Sequence, residues 1–192
     1  MRRRLSVARR DPLSGLWTRE PFERRATRLL ARHPHAAVTL VDLDGFKALN
    51  DTHGHAAGDE AIRVTAASLN DALADYRGVV VARLGGDEFA AVVPLGDPFT
   101  LPWLLNSLHG ALTAPFTFRG RTVCVGASVG ACLTVELPSP SLPLALRRAD
   151  EAMYTAKRDG GGWCLADGPH LTHTSRAGRR AGRPGTGGRE AA

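Results

Sequence analysis

Apolar residues along this chain follow a helical period in some stretches and run unbroken in others. From about Thr18 to Ala31, Phe22, Ala26, Leu29 and Leu30 recur at helical spacing, and Pro34 stops the pattern. Ala36–Leu43 is a continuous β-branched and apolar run, which predicts a buried strand. A short helical turn is expected after Gly45, then a longer helix over about Asp59–Ala74. Val79–Leu84 and Phe89–Val93 read as two short strands, joined as a hairpin across Gly85-Gly86-Asp87-Glu88. Further on, the pattern predicts a helix over Leu101–Leu112 and a long small-residue strand over Val123–Val135. A last helix, Leu144–Arg158, is ended by Gly160-Gly161-Gly162, and Trp163–Leu165 forms a final strand.

Strands and helices alternate, yet one strand pair is a hairpin, which excludes an all-parallel doubly wound sheet. The fold class expected is α+β, a mixed or antiparallel central sheet flanked by helices. The chain has 192 residues, room for one domain over 11–168 between a short basic arm (1–10) and an Arg/Gly-rich tail (169–192) expected to be disordered. No apolar run approaches bilayer length, and no apolar segment follows the N-terminal arginines as a secretory signal requires. Cys124, Cys132 and Cys164 are too scattered for a disulfide framework or zinc site, so reduced thiols and a cytoplasmic location are expected, without membrane association.

The net charge of +6 belongs to the ends: residues 1–10 hold five Arg, and residues 171–192 hold five Arg against one Glu. The stretch between, residues 11–170, is mildly acidic, so specific nucleic-acid binding is not the expected function. Of 25 basic residues only Lys47 and Lys157 are lysine, which singles out two positions for a compact, rotatable ammonium.

Two acidic constellations carry the candidate chemistry. In Val41-Asp42-Leu43-Asp44-Gly45-Phe46-Lys47 an apolar strand runs directly into two carboxylates, whose spacing of two places them on one side of the extended chain. A carboxylate at a strand end needs a compensating cation or hydrogen bonds, and Mg²⁺ suits one or two carboxylates together with substrate phosphates. Asp44 alone is expected to cap the turn that begins at Gly45; Asp42, inside the strand, is not. In Arg83-Leu84-Gly85-Gly86-Asp87-Glu88-Phe89 the glycines suit a tight turn or a close approach to a ligand, but a plain hairpin has no need of two adjacent acids. Two separated acidic clusters at strand ends point to metal-assisted phosphoryl transfer. An EF-hand beginning at Asp42 fails at Phe46, Lys47 and His53, and no P-loop or dinucleotide fingerprint is present.

Over roughly Asp11 to Trp163 these residues resemble the GGDEF family of diguanylate cyclases, through four blocks in the family's order: 11–19 (DPLSGLWTR), 42–59 (DLDGFKALNDTHGHAAGD), 83–89 (RLGGDEF) and 149–157 (ADEAMYTAK). The resemblance implies a fold like the palm of nucleotidyl cyclases and polymerases, of ferredoxin-like type. It implies that two GTP molecules are condensed into cyclic di-GMP and two pyrophosphates, each 3′-hydroxyl attacking the other's α-phosphate. Asp42, the Leu43 carbonyl and Glu88, with Asp87, would hold two Mg²⁺ (or Mn²⁺) ions per site, and Asp87 and Glu88 would be catalytic. Asn50 and Asp59 would read guanine, Lys47 and Lys157 would bind the triphosphate, and Gly85 and Gly86 would let the backbone approach the nucleotide. Phe46, in the same block, joins the substrate-binding set, although Phe46 and Phe89 both also read as core.

Other motif residues are expected to be structural: Asp11 and Arg19 as an ion pair, His53 and His55 in local hydrogen bonds, Tyr154 packed on the sheet. Tyr76-Arg77-Gly78-Val79 stands where the family often carries an inhibitory Arg-x-x-Asp, so no feedback inhibition through that site is expected. Gly161 stands where the family often has a phosphate-contacting Arg, and Thr18 replaces an Asn. Cyclisation requires two domains face to face, so a homodimer, transient or brought together by a partner protein, is expected. The alternative is a weak or inactive GTP-binding regulatory module.

Overall fold

Strand β1 (Ala36–Asp44) lies at the centre of a five-stranded sheet because its side chains are apolar on both faces. The computed structural model describes residues 9–166, so most of the N-terminal arm and all of the tail expected from the sequence lie outside the described residues. After β1 come helices α2 (Phe46–His53) and α3 (His55–Ala72), then strands β2 (Val80–Gly85) and β3 (Glu88–Pro94). Helix α4 (Leu101–Leu112), the small strands β4 (Phe116–Phe118) and β5 (Arg121–Val123), β6 (Gly126–Leu133), α5 (Leu142–Arg158) and β7 (Gly162–Leu165) follow; α1 (Arg19–Leu30) precedes them all.

The order across the sheet is β2-β3-β1-β6-β7, antiparallel throughout except for the parallel β6–β7 pair. It is therefore a mixed sheet, and β1–α–β2–β3–α4–β6 is the ferredoxin-like unit of the palm. Alternate residues of β1 enter different cores. Ala37, Val41 and Leu43 join Leu69 and Leu105 of α3 and α4, whereas Ala36, Val38 and Leu40 join Phe22 of α1 and Ala149 of α5. Asp42 and Asp44 continue the second set, so they emerge on the α1/α5 face where its apolar cover ends.

The structure departs locally from the sequence-based expectation. Helix α3 begins at His55, earlier than Asp59, because Gly54 (φ 81°) allows a break of one residue after α2. His55 to Gly58 have no apolar periodicity to reveal that first turn. The long strand expected over Val123–Val135 is two strands, with Cys124 and Val125 between them. A hairpin precedes it, turned by Arg119 (φ 49°) and Gly120 (φ 75°), and two positive φ angles in succession match the twist of a tight hairpin. Helix α5 starts at Leu142, with Pro143 in its first turn, where a missing N–H costs nothing.

Candidate active site

The β1–β3 register sets Asp42 directly opposite Glu88, and the β1–β6 register sets it opposite Ser128. Facing partners in an antiparallel pair share a face, so strand pairing alone brings Asp42 and Glu88 together from positions far apart in sequence. Like charges so placed repel, which favours a cation between them. The Leu43 N–H donates to the Asp87 carbonyl (3.3 Å), tying the hairpin tip to the end of β1. Leu43's side chain is buried in the core, leaving only its backbone for a ligand.

Helix α5 supplies the positive charge. Lys157 donates a hydrogen bond to Asp42 Oδ1, from the last turn of α5. That hydrogen bond, with the negative charge of Asp42, Asp44 and Asp87, raises the lysine's pKa against the smaller opposing effect of burial. α5 can come this close because β6 carries Gly130 beneath it: a Cβ there would lie 2.0 Å from the Ala149 carbonyl oxygen. A cleft of ≈ 420 Å³ opens between Asp42, Lys157 and the Asp150–Tyr154 turn of α5. Tyr154 is 68% exposed and lines this cleft, which corrects the expectation that it packs on the sheet.

Asp44 makes no capping hydrogen bond to α2, whose first position is preceded by Gly45 at φ 73°. The Ser128 hydroxyl instead donates to the Asp44 carboxylate, 2.9 and 3.0 Å from its two oxygens. The capping role expected for Asp44 is therefore wrong: this carboxylate is held across the sheet on the same face as Asp42.

The expected Asp11–Arg19 pair is also not formed. Asp11 accepts from Arg83 (3.0 and 3.1 Å) and from the N–H and hydroxyl of Ser14. Burial raises the Asp11 pKa, but the Ser14 hydrogen bonds and the Arg83 guanidinium outweigh it, and the net shift is downward. Arg83 Nε also donates to the Gly86 carbonyl (2.9 Å), so one guanidinium joins the N-terminal block to the signature turn. Arg19 stands 3.8 Å from Glu88. Arg83 and Ser128 were not picked out from the sequence. Arg83 offered a weak signal, an arginine just before a glycine turn, whereas Ser128 sits unremarked in a small-residue run.

The guanine candidates sit on the two helices after β1. Asn50 is half-buried on α2 and rests directly on Gly58 of α3, where a Cβ would meet its Oδ1 at 2.1 Å. Asp59 is the next residue, and Lys47 lies one turn before Asn50. Phe46 is half-buried against the core and Phe89 is fully buried. His53 and His55 are exposed. Gly86 has φ 51°, within a loop of two residues between paired Gly85 and Glu88.

No three His, Cys, Asp or Glu side chains converge as a ready cation site among the described residues. The donor set still suits a hard divalent cation, because two facing carboxylates and a strand-end carbonyl are all oxygen ligands. No described helix is long and apolar enough to cross a membrane.

The chain is similar to known proteins in sequence and in fold. The family model described as "Diguanylate cyclase, GGDEF domain" matches residues 8–162. An uncharacterized 19.3 kDa protein of the repSA 5′ region of Streptomyces ambofaciens is 49% identical, over 81% of each chain. Diguanylate cyclase DgcP of Pseudomonas aeruginosa is 34% identical over 78% of this chain, which spans only 22% of that protein. Among solved structures, the GGDEF domain of TpbB (YfiN) from Pseudomonas aeruginosa superposes with a TM-score of 0.74 at 36% identity, covering 82% of this chain and 94% of that one.

Proposed function

Because the chain belongs to the GGDEF family of diguanylate cyclase domains, we propose that it is itself a cyclase, condensing two GTP into cyclic di-GMP and two pyrophosphates. In each half-reaction a 3′-hydroxyl gives up its proton to solvent as its oxygen bonds to the α-phosphorus of the other nucleotide, and the bond from that phosphorus to the bridging oxygen breaks, its electron pair leaving with pyrophosphate. The observation that carries the reading is the pairing of Asp42 with Glu88 across β1 and β3, with Asp42 also lining a cleft beside Lys157. Asp42, Glu88 and the Leu43 carbonyl, with Asp87, are the residues that would hold Mg²⁺ or Mn²⁺, two per site. Bound there, the ions would polarise the α-phosphate and make the 3′-hydroxyl more acidic.

Lys157 serves in two states. Without nucleotide it neutralises Asp42; with GTP bound it exchanges that carboxylate for triphosphate oxygens, joined by Lys47. Asn50 and Asp59 present an amide and a carboxylate to the guanine edge, held at their spacing by the contact of Asn50 with Gly58. Gly85 and Gly86, lacking side chains, leave the signature turn open to the nucleotide. Two chains, face to face, are needed for one product.

The test is product formation from GTP and Mg²⁺ at high protein concentration, followed by chromatography, beside Glu88→Ala. Product that disappears in the variant supports the proposal, and a rate per chain that climbs with protein concentration supports the dimer. GTP binding with no product at any concentration would refute the cyclase reading in favour of a GTP-binding regulatory module.

A further inference from the structure

Outside the acidic cleft, a groove of ≈ 260 Å³ is lined by Arg9, Trp17, Pro21, Arg24, Arg25 and Arg28. Its floor is organised around Trp17, with the guanidinium of Arg10 3.6 Å and that of Arg25 3.8 Å from the ring centroid. At those distances two guanidinium groups cannot share one face of the ring, so they cover opposite faces. The backbone of Trp17 is itself fixed, because its amide N–H donates to the Val81 carbonyl and its carbonyl accepts from the Arg83 amide N–H, along the free edge of β2. Arg24 pairs with Glu20, but among the described residues Arg9, Arg25 and Arg28 have no carboxylate partner. A rigid aromatic post thus gathers arginines that repel one another.

Such a cluster is relieved by anions. We propose that this groove binds consecutive phosphates of a nucleotide strand, independently of sequence and of the cyclase reaction. Both faces of Trp17 are occupied, so base stacking, the usual aromatic contribution to single-strand binding, has no surface here. Recognition falls to the guanidinium forks, which match phosphate oxygens two at a time. Arg24 and Arg28 are one helical turn apart, about 6 Å along the axis of α1, a spacing that lets neighbouring phosphates be engaged together. Free polyphosphate has the same chemistry, and the experiment separates the two sources.

The full chain is titrated against labelled oligothymidine by fluorescence anisotropy over a range of salt, beside the triple variant Arg9→Gln/Arg24→Gln/Arg28→Gln. A second variant replaces the tail arginines Arg176, Arg179, Arg180, Arg183 and Arg189 by Gln. Three lost phosphate contacts should lower the slope of log affinity against log salt by about 2, at roughly 0.7 per contact for single strands. Affinity at low salt should fall at least about tenfold, while the tail variant keeps most of the slope. Arg28→Gln alone, with a slope change of about 0.7, replaces the triple variant if that one melts early. Competition by tripolyphosphate at equal phosphate concentration assigns the site to free polyphosphate; resistance to it assigns the site to the strand. Oligothymidine binding that the groove variants leave intact, that the tail variant abolishes, or that is absent at low salt overturns the proposal.

Discussion

Gly130→Ala should destabilise this protein far more than one methyl group ordinarily does, because the obstruction is backbone. The added Cβ would lie 2.0 Å from the Ala149 carbonyl oxygen, 2.2 Å from the Met153 nitrogen and 2.7 Å from the Met153 Cα. Non-bonded heavy atoms settle at about 3.5 Å, so α5 has to withdraw from β6 by roughly 1.5 Å. A gap of half that size already forfeits a quarter to a half of the dispersion energy of each facing contact. Ala145, Ala149, Ala152 and Ala156 all face the sheet from α5, so the loss is repeated along the helix. The expected cost is about 3 kcal/mol, the upper end of the range for overpacked cores. With a urea m-value near 2 kcal/mol/M, the unfolding midpoint followed by circular dichroism should fall by about 1.5 M. GTP binding should weaken too, since Lys157 moves with α5. Gly110→Ala is the control: it is exposed in α4 with nothing within 4 Å of its Cβ, and should gain up to about 1 kcal/mol from helix propensity. A Gly130→Ala midpoint within 0.3 M of wild type (about 0.6 kcal/mol) would refute the claim that close α5–β6 contact positions the lysine.

Three further outcomes are expected. Gly58→Ala meets only the end of a flexible amide, so its melting temperature should stay within a few degrees of wild type while the displaced Asn50 costs about tenfold in GTP affinity by calorimetry; an unchanged preference for GTP over ATP would remove Asn50 from the guanine site. Asp11 has a lowered pKa, so its contribution is present above the unfolded value of 3.8 and is lost as pH falls through the native one. Asp11→Asn should therefore lose roughly 2 kcal/mol by urea unfolding at neutral pH, a gap that narrows as the pH falls below 3.8, and a gap independent of pH would contradict the Arg83–Ser14 account. In thiol labelling monitored by mass, exposed Cys124 should react first and Cys164 more slowly. Cys132, whose thiol is pushed up to about 11 by burial and by the Glu136 charge, should react only on unfolding; early labelling of Cys132 would show that α5 opens from the sheet.

What the sequence determines by itself is local. The unbroken apolar run of β1, the helical spacing of α1 and α4, and the glycine turn between β2 and β3 were all legible, because each follows from the periodicity of one segment. The acidic strand end at Asp42 and the acids after Gly86 were equally visible, since carboxylates placed where an apolar strand stops have no local use. Local pattern failed where competing signals overlapped, as in the polar first turn of α3 and the small residues that hid the break between β5 and β6. Only the tertiary structure decided which groups meet. Register made Asp42 face Glu88 and Ser128, the cross-sheet hydroxyl claimed Asp44, and Arg83 rather than Arg19 took Asp11. Lys157 reaches Asp42 across 115 positions of sequence only because Gly130 admits α5 against the sheet. Periodicity specifies which face of an element is buried; pairing between distant elements depends on strand register and packing distance, which no single segment encodes.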